Sequence, residues 1–164
     1  MSAAAYRNLA AGEGETLWFA GAHQTIKHRG DWSDGKFSLV EVVVPRGRAT
    51  PLHRDPSDET FYVLEGEVLF HVDGDEHAAS PGDTVSVPRG VPHAFVVTSD
   101  VAKFLVLNTP GTHDKYFRDG GEPATHQDFE AAPAPDYERM EASNRKHGVE
   151  VLAAPPFAAV EVTA

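Results

Sequence analysis

The sequence predicts an all-β sandwich or barrel with a short helical extension at its C-terminal end. Three observations carry this. Short β-branched and aromatic runs recur about every ten residues between positions 37 and 108. The chain holds 14 glycines and 12 prolines, an excess that implies many turns. Helical character is confined to the stretch after Pro110.

The elements follow in order. Residues 1–15 are small and polar and read as a loose arm. Thr16 to Lys27 (TLWFAGAHQTIK) reads as one or two short strands, and Gly30 to Gly35 as a turn cluster. Phe37 to Val44 (FSLVEVVV) is a strand that Pro45 stops. Thr60 to Leu64 is a strand turned by Glu65-Gly66, and Val68 to Val72 runs into Asp73-Gly74, a pair suited to a tight hairpin. The run Asp73 to Glu76 reads as a hairpin tip; it lacks the length and terminal Glu of a calcium loop. Pro81-Gly82 turns the chain into Thr84 to Val87, and Ala94 to Thr98 and Lys103 to Leu107 complete the set. Beyond Pro110, Thr125 caps a short helix through Phe129. Asp136 to His147 is helical, with acidic residues early, Arg145, Lys146 and His147 in its last turn and Gly148 at the stop. Tyr137 and Met140 are spaced to dock on the barrel. Gly148 to Leu152 reads as a last extended segment. The organisation expected is an N-terminal arm with strands over 1–34, a barrel over 35–110, and an extension over 111–164 whose helix packs on the barrel.

At 164 residues with 41 % apolar content, the chain can build one cored domain. The formal charge of −11 argues against nucleic acid and against an anionic membrane surface, both of which need a basic face. The absence of cysteine excludes disulfides, thiolate metal sites and a cysteine nucleophile. The N-terminus carries no charged region followed by a long apolar run, so the expected location is cytoplasmic.

The chemistry concentrates in two stretches. His53 and Asp55 are two apart and share a strand face. Glu59 leads a strand in which Phe61 and Val63 are the alternate apolar residues, so Glu59 faces the core with them and needs a partner there. His93 precedes Phe95 by two and shares its face. His53, Glu59 and His93, with Asp55 as a fourth, are therefore inward candidates from different strands. Two imidazoles and a carboxylate with open positions suit Fe(II), and also Mn, Ni, Co or Zn. Without a metal, the same groups would hydrogen-bond a ligand. Asp55 is either a ligand or a turn residue before Pro56. Phe61, Val63, Phe95 and Val97 are core residues that line a cavity if there is one. His71 either lines the barrel mouth or is a half-exposed strand residue. His77, His113, His126 and His147 read as surface residues. His23 and His28 would belong to a lid or a dimer strand.

The two stretches resemble the two cupin motifs. Gly47, five residues, His53-Arg54-Asp55, three residues, Glu59, six residues, Gly66 follows the first; Gly82, five residues, Pro88-Arg89-Gly90, two residues, His93, three residues, Val97 follows the second. The segments Tyr116-Phe117-Arg118 and Gly148 to Leu152 are also similar to small single-domain bacterial cupins of the quercetin 2,3-dioxygenase type. The resemblance implies a double-stranded β-helix (a jelly-roll barrel), a divalent transition metal (Fe, Ni, Mn or Co, with Zn possible) and a homodimer, for which Thr16 to Lys27, with Trp18 and Phe19, is the expected contact. Two positions depart from the pattern: Asp55 stands where the family has its second histidine, and Val97 where many members have asparagine. Two carboxylates would make a divalent site neutral and weaken its Lewis acidity. The activity implied is dioxygenation of a small aromatic or enolic, flavonol-like or polyketide-like substrate with O2, with Glu59 as ligand and general base. A non-redox isomerase, cyclase or lyase, and a ligand-binding protein without turnover, are the alternatives.

Overall fold

Strict alternation places the inner wall of the barrel. In β3 (Ser38–Pro45) every second residue, from Ser38 through Val40 and Val42 to Val44, is buried. The same holds for Glu59, Phe61 and Val63 in β5 (Asp58–Glu65), and for Ala102, Phe104, Val106 and Asn108 in β10 (Val101–Thr109). β10 pairs antiparallel with both neighbours, so that Val106 lies opposite Val40 on one side and Phe61 on the other. Inward apolar positions thus stack in layers, as period-two strands with one buried face must. The computed structural model that shows this describes residues 6–157; the first five residues of the expected N-terminal arm, and residues 158–164, lie outside it.

The other strands are β1 (Glu15–Phe19), β2 (Ala22–His28), β4 (Leu52–Arg54), β6 (Val68–Val72), β7 (Asp75–Ala79), β8 (Thr84–Val87), β9 (His93–Val97), β11 (Glu122–Pro123) and β12 (Glu150–Ala153). They form a seven-stranded sheet in the order β11-β1-β2-β3-β10-β5-β8 and a five-stranded sheet in the order β12-β4-β9-β6-β7, antiparallel throughout. Phenylalanines fill the core between them, with ring centroids 5.0 Å apart for Phe61 and Phe70 and 5.2 Å for Phe95 and Phe104. The hairpins β1–β2 and β6–β7 turn on Ala20-Gly21 and Asp73-Gly74, all four at positive φ as a two-residue primed turn requires.

Several expectations are revised. β7 was expected only as part of a hairpin tip, because Asp75, Glu76 and His77 carry no strand propensity. Pairing with β6 overrides propensity there, and its exposed charged residues suit a sheet edge. The helix over Thr125 to Phe129 is absent. His126 Nδ1 accepts from the Asp128 amide at 3.2 Å and Asp128 Oδ1 from the Glu130 amide at 3.0 Å, local bonds that compete with a helix. The edge of β1 is not open, because β11 covers it. Trp18 and Phe19 are buried within the chain, Trp18 against Phe129 and Phe19 against Tyr116 and Phe117, so the dimer contact expected of them is not offered.

Among the described residues two α-helices follow the barrel. α1 (His113–Gly120) was not anticipated. α2 (Tyr137–His147) was: the Asp136 carboxylate accepts from the Arg139 amide at 3.0 Å, and Gly148 ends the helix at φ 73°. Met140 packs against the core as expected, but Tyr137 is 67 % exposed; the second docking residue is Ser143, whose hydroxyl donates to the Tyr116 carbonyl at 2.8 Å. Among the described residues no helix is long and apolar enough to cross a membrane.

The entry to α1 is set by a close backbone crossing. A Cβ on Gly111 would lie 2.3 Å from the Phe37 carbonyl carbon, and the Gly111 amide donates to the Gly35 carbonyl at 2.9 Å. Gly111→Ala should therefore push α1 off the barrel, at a cost of about 1–3 kcal/mol or more, as overpacking against backbone does. Urea unfolding checks this, and a midpoint equal to wild type would contradict it.

Candidate metal centre

β4 and β9 bring their histidines together directly: His53 and His93 are cross-strand partners, with ring centroids 4.4 Å apart. Glu59 enters from β5, on the same inward face as Phe61. Asp55, just past the end of β4, turns inward, and its side chain is 2 % exposed. The fifth member is His113, the first residue of α1, buried at 4 % exposure.

The five side chains gather in two overlapping sets that share Asp55: His53 and His93 on one side of it, Glu59 and His113 on the other. His93 Nε2 lies 3.0 Å from Glu59 Oε2 and 3.3 Å from Asp55 Oδ2. His53 Nε2 is 3.5 Å from Asp55 Oδ2, and His113 Nε2 is 3.5 Å from Asp55 Oδ1 and 3.9 Å from Glu59 Oε1. His53 and His93 are oriented from behind, their Nδ1–H groups donating to the carbonyls of Pro51 at 2.8 Å and Val91 at 3.0 Å, which leaves Nε2 facing the cluster.

Neither oxygen of Asp55 has a hydrogen-bond partner, although both are buried. An unsatisfied carboxylate is costly in that setting. Donors held at about 2.1 Å from one ion stand about 3.0–3.4 Å apart, close to most of the spacings here. Nitrogen and carboxylate donors with these separations fit a divalent transition metal; His53, Asp55 and His93 form one compatible triad and Asp55, Glu59 and His113 another.

Beside the cluster lies a cavity of about 150 Å³. His53, Glu59, His93 and His113 reach it, whereas Asp55 sits behind them. Phe61, Phe95 and Phe104 form its barrel wall, and Tyr116 and Phe117 of α1 close it.

Comparison with known proteins fits this geometry. A family model described as "Cupin domain" matches residues 40–108. The chain is 37 % identical over 87 residues to an uncharacterized protein of Methanocaldococcus jannaschii, a match spanning 52 % of this chain and 70 % of that one. The chain belongs to the cupin family. It is also 31 % identical over 126 residues to quercetin 2,3-dioxygenase of Bacillus subtilis, covering 76 % of this chain but only 37 % of the dioxygenase's length. The structure of KdgF from Halomonas sp. superposes with a TM-score of 0.59 at 22 % identity, covering 68 % of this chain and 99 % of that one, a likeness of fold.

Within this cupin, several expected positions fall elsewhere. Val63 and Val97 are fully buried in the barrel core and do not line the cavity, because the aromatic side chains fill the space before them. His71 is on the opposite face of β6 from Phe70, its ring edge-on to Phe157 at 6.4 Å and away from the cavity. His113 is no surface residue, since α1 carries it into the cluster. His147 is only 13 % exposed and contacts Asp119 at 2.6 Å. His77 and His126 are exposed as expected. His23 is buried in β2 beside Trp18, and His28 stacks on Phe37, so neither belongs to a lid. The sequence did hold a signal for His113: His113, Tyr116 and Phe117 stand three and four apart, one buried helix face, with Asp114 and Arg118 in the first and last turns.

The electrostatics follow from the crowding. Burial disfavours charge on His93, but Asp55 and Glu59 outweigh it and raise its pKa to about 10. His113 is raised against burial by the same two carboxylates. Burial, helped by His93, lowers His53 despite Asp55. Burial alone would raise Asp55, yet His113 and His93 hold it well below the usual carboxylate range. The signs set a stability profile. Asp55 stabilises the fold above its unfolded pKa of 3.8 and ceases to as pH falls through its folded value. His93 stabilises fully below its unfolded 6.5, and loses this as pH rises through about 10. Below 6.5 the lowered His53 works against this, but above it only the raised His93 and His113 change the balance, so chelator-treated protein should have a lower urea midpoint at about pH 9.5 than at about pH 7.5. A rise across that interval would contradict the assignment.

Proposed function

We propose that this cupin is a metal-dependent dioxygenase acting on a small aromatic or enolic substrate. The observation that carries the reading is the Asp55 carboxylate, buried without a hydrogen-bond partner among three imidazole nitrogens and Glu59, beside an apolar cavity. His53, Glu59 and His93 hold the ion, with Asp55 as a fourth ligand; Fe, Ni, Mn or Co suit these donors, and Zn is compatible. When bound, such an ion supplies Lewis acidity toward a substrate hydroxyl and, for the redox-active metals, access to O2 chemistry.

The chain's own groups do the rest. Glu59 Oε2 is engaged by His93 at 3.0 Å, whereas Oε1 has its nearest ionic neighbour, His113, at 3.9 Å. Oε1 is the oxygen positioned to take a hydroxyl proton from a substrate in the cavity. Tyr116 cannot compete as a base: burial, then Asp55 and Glu59, push its pKa above the usual tyrosine value, and its hydroxyl donates to Asn144 Oδ1 at 2.9 Å. Phe61, Phe95 and Phe104 hold an apolar ring and exclude water. At about 150 Å³ the cavity holds one aromatic ring beside the cluster, which suits a monocyclic phenol, a small enol or one ring of a larger aromatic.

The test is metal analysis of protein made without a chelating tag, with oxygen uptake measured on catechols, small enols and flavonols. Iron, nickel, manganese or cobalt with uptake on at least one of these substrates is the expected result. Zinc or no metal, with turnover independent of oxygen, would replace the reading by a non-redox isomerase, cyclase or lyase. The paired carboxylates favour that second reading, because they neutralise a divalent ion and suit proton transfer.

A further inference from the structure

We propose that His113, outside both sequence motifs, is a metal ligand, the third imidazole of the centre, and that it ties α1 to the metal. The inference rests on the metal-binding reading above and deepens it. Position 55, occupied by a carboxylate, leaves the motifs with two imidazoles, His53 and His93. The fold brings a third from the far side. His113 Nε2 lies 3.5 Å from Asp55 Oδ1, nearly the distances at which His53 and His93 approach Oδ2 of the same carboxylate. One imidazole therefore faces Oδ1 and two face Oδ2, oxygens that have no hydrogen bond of their own.

The back of the ring is prepared in the same way as the other two. His113 Nδ1 lies 3.4 Å from Ser57 Oγ, and Ser57 Oγ accepts from Asn108 Nδ2 at 3.2 Å. Ser57 and Asn108 are buried, at 1 % and 0 % exposure. All three histidines thus have Nδ1 beside an oxygen, a backbone carbonyl for His53 and His93 and the Ser57 hydroxyl for His113, and Nε2 toward the cluster, an arrangement open to metal-ligating histidines. α1 is itself fixed. Tyr116 and Phe117 pack on Phe19, and Arg118 joins Asp114 at 3.1 Å to Glu15 at 2.7 Å. Tyr116 and Phe117 also wall the cavity, so a metal held by His113 ties that wall to the barrel strands.

A structural ion pair between His113 and Asp55 would use the same contacts without touching a metal, and the test separates the two. Full-length protein without a tag is stripped of metal and titrated with Co(II), with calorimetry giving the affinity and proton NMR the paramagnetically shifted ring N–H signals. Wild type should show three such signals. His113→Gln, which keeps most of the side-chain volume, should show two and bind Co(II) about 100-fold more weakly or worse. His113→Asn, read the same way, serves if the glutamine variant does not fold. Three signals and unchanged affinity in a folded variant overturn the role of His113 while leaving the metal reading in place. No Co(II) binding by wild type overturns both.

Discussion

Glu59→Gln is expected to lower kcat by about 10²–10⁴-fold, the usual contribution of a positioned general base. The substitution is nearly isosteric. An amide oxygen can still contact a metal, so metal content should fall far less than turnover. What the amide cannot do is take a proton from a substrate hydroxyl. Turnover per bound metal is therefore the quantity to measure. A value within a few-fold of wild type would show that Glu59 only ligates and that the base lies elsewhere.

His93→Ala should have the largest effect on the fold. It removes the group nearest to both buried carboxylates, at 3.0 Å from Glu59 and 3.3 Å from Asp55. Removing one partner of a buried ion pair costs about 3–5 kcal/mol, because the remaining charge is stranded. Bound metal should be lost as well. His53→Ala offers the internal comparison. His53 is more exposed, at 16 %, and its pKa is lowered, so it carries no charge that the carboxylates depend on. Its loss should remove metal but cost the fold less. Urea unfolding of metal-free protein orders the two, and equal midpoints would refute the electrostatic account.

What could be read from the chain followed physical rules of different reach. Val40, Val42 and Val44, or Phe61 and Val63, announce themselves because a half-buried strand must alternate, whatever lies around it. His53, Glu59 and His93 were legible for the same reason, being polar residues in phase with apolar ones. Asp55 was legible only as one of two readings, inward with His53 or a turn residue before Pro56, since its place past the end of β4 depends on backbone outside any regular element; the structure takes the inward one. His113 was hidden more deeply. Its burial comes from Tyr116 and Phe117 docking on Phe19, a tertiary contact between distant segments. β7 illustrates the converse: Asp75 and Glu76 form a strand only because β6 offers them an edge.

The order in which the sheets close has a consequence for synthesis. β4, which carries His53, has β12 as its outer neighbour, and β1 has β11. In both cases the strand must wait for a partner segment that lies far along the chain. While the ribosome is still producing residues beyond 113, the nascent chain presents open edges at β1 and β4, and its polar cluster lacks a wall. Such edges are the sites at which incomplete chains associate wrongly. A chain stalled before β12 would therefore be prone to aggregation, and a metal at the proposed centre would be taken up only once α1 has docked.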